Sequence, residues 1–226
     1  MRTAAKTFLL LVVVVAAATL TALAIWILPE VSSLRATFAA SASSTYPPHV
    51  ILAFLATEDP HFLEKHDRRM GAATLVQQMV KGEVAPSRQI SRVIKEVVVA
   101  AVIDRTVPES QIISGYLDHV YLGSVGGRLL YGVPIGSRTY FHRDSSKLTL
   151  AQAAMLAGIV RSPRAYSPIE HAERAAARQQ VVLDKMRALK FVTEAEYGSA
   201  LREAGLAAPN SALHRTWPRN LVGPEC

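Results

Sequence analysis

Two groups of side chains have the residue types and spacing for chemistry. The first is Glu58-Asp59-Pro60, which closes an apolar stretch over residues 50–56. If that stretch is a helix, Pro60 stops it and the carboxylates sit at its C-terminal end. Backbone carbonyls there carry partial negative charge, so a carboxylate is electrostatically disfavoured, a placement that suits a general base or acid near neutral pH. A frayed helix end in solvent accounts for the same three residues equally well. The second group is Arg88, Arg92, Lys95 and Glu96. At about 100° per residue they fall at roughly 0°, 40°, −20° and 80° around a helix, all on one face. Three cations beside one carboxylate can grip a pyrophosphate, and Lys81, just upstream, can join them. The same residues also make an ordinary solvated face with an Arg92–Glu96 pair one turn apart, and on composition alone that is the commoner arrangement. His61 and His66 have acids nearby, but their i,i+5 spacing is not the i,i+4 of a zinc-binding helix face, so no metal is expected.

These groups need a scaffold, and the remaining composition points to a helical one. The 226 residues are half hydrophobic but only 7% aromatic, so Ala, Val and Leu supply the core of roughly one domain. A disordered chain, a collagen-like repeat and a coiled coil are excluded. The one cysteine, Cys226, allows neither an intramolecular disulfide nor a Cys-based zinc site. Net charge is +7, and +5 without Arg2 and Lys6, which suits an anionic partner.

Residues 8–28 (FLLLVVVVAAATLTALAIWIL) carry no charge. As a helix they span about 31 Å, close to the hydrocarbon thickness of a bilayer. Arg2 and Lys6 precede the run, so the positive-inside bias puts the N-terminus in the cytoplasm and the rest outside. Ala22-Leu23-Ala24 resembles a signal-peptide cleavage site, but the apolar run continues past it and exceeds an ordinary signal core. The chain therefore divides into a cytoplasmic N-terminus (1–7), a transmembrane anchor (8–28), a small-residue stalk with little to pack (29–46), a body (47–208) and a loose tail (209–226).

Within the body, Pro47-Pro48 open a helix over 49–57, and a short helix covers 74–81. Ser87 caps a long helix over 88–107, whose Val-rich part, 97–103, reads as buried helix rather than strand. Another helix covers 111–122. The Gly-rich stretch 123–136 reads as an irregular loop or lining segment. An Ala-rich helix over 151–160 and an amphipathic one over 170–190 follow. Thr193-Glu194-Ala195-Glu196 is a capping box that opens a last helix, to about Ala204.

Five segments in order resemble the motifs of the peptidoglycan glycosyltransferases, glycosyltransferase family 51. Glu58-Asp59-Pro60-His61-Phe62-Leu63-Glu64-Lys65-His66 resembles EDxxFxxH, with one extra residue before the histidine. Gly71-Ala72-Ala73-Thr74-Leu75-Val76-Gln77-Gln78-Met79-Val80-Lys81 resembles GGSTITQQxxK, and Arg92-Val93-Ile94-Lys95-Glu96 resembles RKxxE. Ile112-Ile113-Ser114-Gly115-Tyr116-Leu117-Asp118-His119-Val120-Tyr121-Leu122-Gly123 is similar to ILxxYLNxIYxG. The fifth runs from Tyr140-Phe141 through Leu148-Thr149-Leu150-Ala151-Gln152 to Arg161-Ser162-Pro163 and Tyr166-Ser167-Pro168.

The resemblance implies a mostly α, lysozyme-like helical glycosyltransferase domain with one N-terminal transmembrane helix, on the outer face of a bacterial plasma membrane. It implies polymerisation of lipid II, a disaccharide-peptide on undecaprenyl pyrophosphate, in cell-wall synthesis by an enzyme of the monofunctional type. Glu58 then corresponds to the base that deprotonates the acceptor 4-hydroxyl, and Glu96 to the glutamate beside the donor pyrophosphate. Lys81, Arg88, Arg92 and Lys95 would hold that pyrophosphate, with Asp59 and Gln78 shaping the site. No cofactor is implied, although some members are stimulated by a divalent cation such as Mg or Mn. The implied partners are lipid II, the growing glycan strand, membrane lipids and other cell-wall synthesis and divisome proteins; nucleic acid is not among them.

The sequence departs from the family pattern in places. Only Asp67-Arg68-Arg69-Met70 separates the first two motifs, where an arginine of the donor site normally sits, and Arg68 or Arg69 would take its place. Ala72, Ala73 and Val76 stand for Gly, Ser and Thr, Val93 for a lysine, and Asp118 and Ser167 for asparagines. A catalytically impaired, lipid II-binding scaffold subunit is the alternative reading. A muramidase-type hydrolase is a third, and the basic face argues against it.

Overall fold

The computed structural model describes residues 2–60, 62, 74–83 and 90–204. Arg68, Arg69, Arg88, the Ala72-Ala73 pair and the tail from Pro209 lie outside them. The described elements are α1 (Arg2–Ala40), α2 (Pro48–Glu58), α3 (Thr74–Glu83), α4 (Ile90–Thr106), α5 (Glu109–His119), β1 (Tyr121–Val125), β2 (Arg128–Tyr131), α6 (Val133–Phe141), α7 (Leu150–Val160), α8 (Ala172–Ala188) and α9 (Glu194–Glu203). The protein is mostly α, as expected.

The core is built around α7. Every residue from Ala151 to Ile159 is buried, and a helix apolar on all sides belongs inside a domain. Its alanines let α2 and α8, which also touch each other, pack closely against it. Local chemistry starts it, because Thr149 and Gln152 form a capping box, with Gln152 N–H donating to Thr149 Oγ1 at 3.2 Å. Gln179 of α8 is buried and donates to the Ala151 carbonyl at 2.7 Å. Thr193 and Glu196 form the expected box at the start of α9. Pro48 occupies the first turn of α2, where its missing N–H leaves no bond unmade.

The expected stalk is not a stalk. Helix α1 runs unbroken through Pro29 to Ala40, and Val31, Leu34, Phe38 and Ser41 are buried in the domain core. These four lie three or four residues apart and so share one helix face. The small, polar residues between them conceal that face in the sequence. The N-terminal part of α1 is long and apolar enough to cross a membrane and is exposed along its length, with Phe8 70% and Leu20 66% exposed. Inside this stretch Thr19 and Thr21 donate to the carbonyls of Ala16 and Ala17, so neither hydroxyl lacks a partner.

Past α1 the chain is clasped by α5. Ser44 Oγ donates to Asp118 at 2.7 Å, the Tyr46 hydroxyl donates to the same carboxylate, and Ser114 Oγ donates to the Ser44 carbonyl. Two hydroxyl donors suit an acceptor-only carboxylate, which accounts for aspartate where the family pattern has asparagine. Burial pushes the Tyr46 phenol well above its ordinary range, and the Asp118 charge adds to that shift. Ser167 makes a local turn contact, its Oγ accepting from Glu170 N–H at 3.3 Å.

The stretch 123–136 is also more regular than expected. It holds most of an antiparallel hairpin and the start of α6. Gly126 and Gly127 make the turn with φ of 56° and 79°, the left-handed pair that a two-residue hairpin connection requires. Tyr140 of α6 ties the hairpin down by donating to the Leu122 carbonyl at 2.9 Å.

Helix α1 meets α5 where Phe38 lies over Gly115. A Cβ on Gly115 would come within 2.4 Å of Phe38 Cδ1. Gly115→Ala should therefore destabilise the protein by about 1–3 kcal/mol, lowering the melting temperature by roughly 2–12 °C. Adding Phe38→Leu should restore part of the loss. An unchanged melting temperature for Gly115→Ala would show that α1 is not packed tightly on α5.

Candidate active site

The site forms where α2, α3, α5 and the hairpin converge. Glu58 is the last residue of α2 and is half-buried. Asp59 follows as the C-cap; it is buried, and its N–H donates to the Leu55 carbonyl at 3.0 Å. Glu58 is not left in solvent as a frayed end. The side-chain amide of Gln78, from α3, donates to Glu58 Oε2. Gln78 in turn accepts at Oε1 from the hydroxyl of Tyr116, on α5, at 3.3 Å. Tyr116 is 2% exposed, and the edge contact between its ring and Phe54 of α2 has centroids 6.4 Å apart. Burial pushes the Tyr116 phenol far above its ordinary range, with the Glu58 charge as the second cause, so it stays a neutral donor.

Beside this network lies a cavity of about 430 Å³, lined by Gln78, Met79, Tyr116, His119, Tyr121 and Tyr131 among others. Tyr121 and Tyr131 pair across the two strands with ring centroids 5.2 Å apart. Gln78 thus touches both the carboxylate and the cavity wall. Glu58 itself is not among the lining residues, and Gln78 is the side chain that connects its carboxylate to the cavity.

The basic face of α4 divides. Arg92 pairs with Glu96, Nε to Oε1 at 2.7 Å, which is the one-turn pair open from the sequence. Lys95 turns toward α1: its Nζ meets Glu30 Oε1 at 2.5 Å and lies 5.3 Å from the centre of the Trp26 ring. Its side chain is therefore spent on the junction between α1 and α4, which sequence spacing could not show because Glu30 is 65 residues away. Lys81 is exposed at the end of α3, one turn beyond Gln78. The expected buried helix over 97–103 is buried on one side only. Val99, Ala100 and Ile103 enter the core, while Val93, Ile94 and Val97 are each more than half exposed.

Tyr116, Trp26 and Glu30 are the site and junction residues that the sequence reading did not single out. Tyr116 sits inside the fourth motif, but its partner Gln78 is 38 residues away, and no local pattern marks the contact.

Comparison with known proteins agrees with the motifs. The chain is 31% identical over 201 residues to penicillin-binding protein 1A of Escherichia coli (strain K12), covering 79% of this chain and 23% of that one. It is 33% identical over 176 residues to penicillin-binding protein 1A of Aquifex aeolicus (strain VF5), covering 70% and 24%. A crystal structure of penicillin-binding protein 1A from Haemophilus influenzae aligns at 25% identity with a TM-score of 0.43, covering 71% of this chain and 17% of that one. The chain thus spans about a quarter of the length of the curated relatives it matches. The transglycosylase family profile matches residues 61–187, beginning three residues after Glu58. That match takes in more than half of the 226 residues, and the chain belongs to the transglycosylase family.

Proposed function

We propose that this protein is a membrane-anchored peptidoglycan glycosyltransferase that polymerises lipid II. The observation that carries the reading is the Glu58 carboxylate at the end of α2, held by Gln78 beside the cavity, in a chain of the transglycosylase family. Glu58 takes the proton of the acceptor 4-hydroxyl. The oxygen then forms a bond to C1 of the donor sugar with inversion, and the C1–oxygen bond to undecaprenyl pyrophosphate breaks. Charge builds on that leaving group, and fixed cations are most effective where charge develops. Arg92, locked to Glu96, and the exposed Lys81 are the described residues proposed for this task, with Arg88 alongside. Lys95 serves the α1–α4 junction in this reading.

The anchor reading rests on the exposed apolar length of α1 and on Arg2 and Lys6 before it, which favour a cytoplasmic N-terminus. Trp26 and Lys95 suit the bilayer boundary, one by its amphipathic ring and the other by its long stem. The exposed Val93, Ile94 and Val97 lie on the helix that Trp26 touches through Lys95, which supports a domain resting against the lipid. Lipid II, the growing strand and membrane lipids are the partners this requires, with other cell-wall synthesis proteins beside them.

Glu58→Gln keeps the shape and removes the proton acceptor. With labelled lipid II and detergent-purified protein, polymerisation should fall at least about 100-fold while the melting temperature stays close to the parent's. Near-parental turnover would remove Glu58 from the mechanism, and a parent that binds lipid II without product would turn the reading to the scaffold.

The two lysines should separate. Lys81→Glu should weaken binding of a phosphoglycolipid, most at low salt because screening is least there. Lys95→Glu places a second carboxylate beside Glu30 and should chiefly lower the melting temperature. Equal losses of phosphoglycolipid binding for both variants, at unchanged stability, would return Lys95 to the pyrophosphate grip.

A further inference from the structure

We infer that Tyr116 is a positioning residue that fixes the orientation of the Gln78 amide, so that its NH₂ group and not its carbonyl meets Glu58. The inference rests on the proposed role of Glu58 as the base, and it assigns a task to a residue outside the expected site.

An amide side chain has nearly the same shape either way round, so its orientation is decided by the groups it meets. Glu58, ionised, offers only acceptors and requires a donor. That demand alone leaves Oε1 of Gln78 to find its own partner in a half-buried place. Tyr116 supplies it, with the phenol donating to Oε1 at 3.3 Å. In the reverse orientation Oε1 would face the carboxylate and two acceptors would oppose each other. The Gln78 NH₂ would then face the phenol oxygen, and the phenol proton would lose its acceptor. Two contacts thus fail together when the amide turns, and both are satisfied when it does not.

The phenol can act as a fixed reference because its ring is itself held. Tyr116 is buried on α5, and Phe54 of α2 stands at 74° to its ring. Phe54 precedes Glu58 by one helical turn, so the same helix supplies the carboxylate and the wall behind the phenol. Three helices are thereby tied at one point: α2 through Glu58, α3 through Gln78 and α5 through Tyr116. The result is a carboxylate with one oxygen committed to a donor, and its direction depends on a phenol that acts on it through the Gln78 amide.

The test is steady-state polymerisation by the full-length, detergent-purified protein, read together with ¹⁵N spectra of the Gln78 side-chain amide. Tyr116→Phe should lower kcat about 2- to 12-fold, the worth of one neutral hydrogen bond, and leave KM for lipid II unchanged. Gln78→Ala should lower kcat at least as far, and Tyr116→Phe added to it should cause no further loss, because the two act as one unit. Losses that multiply in the double variant, or parental kcat for Tyr116→Phe, would each overturn the inference. In the spectra, the parental Gln78 NH₂ signals should shift on Glu58→Gln, and that response should vanish or split in Tyr116→Phe. Unchanged Gln78 signals in Tyr116→Phe overturn the inference whatever the turnover. A parent that makes no glycan while its Gln78 signals respond as described retains the positioning of Glu58 and removes the transfer reaction instead.

Discussion

Burial of the far half of α1 in the domain core is the contact on which the rest of the structure leans. One helix carries an apolar stretch exposed along its length and, beyond Pro29, the fully buried Leu34 and Phe38. The helix continues through both parts, although Pro29 has no N–H to give the Ile25 carbonyl and leaves one backbone bond unmade at the junction. The exposed segment and the body are therefore joined by helix rather than by an extended tether. Phe38 over Gly115, and the clasp of Ser44 and Tyr46 by Asp118, fix the angle at which they meet. The position of the cavity relative to the exposed apolar segment follows from that packing.

The candidate site depends on the same rigidity. Helix α5 receives Phe38 on one residue and, at the next, offers Tyr116 to Gln78. The network at Glu58 is thus one step removed from the α1 contact. Its polar groups are half-buried or buried and partnered in sequence, phenol to amide to carboxylate, which is how polar groups survive inside a domain. The cost of misplacing any one of them falls on the other two.

Helix α4 reconciles two demands along a short length. Arg92 and Glu96 lock together on one side. Lys95, between them in sequence, reaches the other way to Glu30 and Trp26. Val99, Ala100 and Ile103 enter the core, while Val93, Ile94 and Val97 remain exposed. A helix that meets a core, the α1 helix and a charged pair must distribute its side chains among three directions. The dense mixture of valines and cations in the sequence is the trace of that division.

What could be read from the sequence was local or ordered along the chain. The helix starts at Pro48 and Thr193 were legible because they are decided by groups within about four residues of each other. The apolar run of α1 and the ordered motifs around Glu58 and Glu96 were legible for the same reason, as patterns that need no partner elsewhere. The hairpin escaped although Gly126-Gly127 announced its turn, because the flanking residues do not alternate cleanly. Tertiary packing decided the remainder. It put the small-residue segment after Pro29 into the core, since three large apolar side chains on one face suffice when a groove is waiting for them. It gave Lys95 to Glu30 because a long, flexible cation pairs with whichever carboxylate the fold brings within reach. It also joined Tyr116 to Gln78 across 38 residues, because orienting a buried amide requires a partner that only the assembled helices can present.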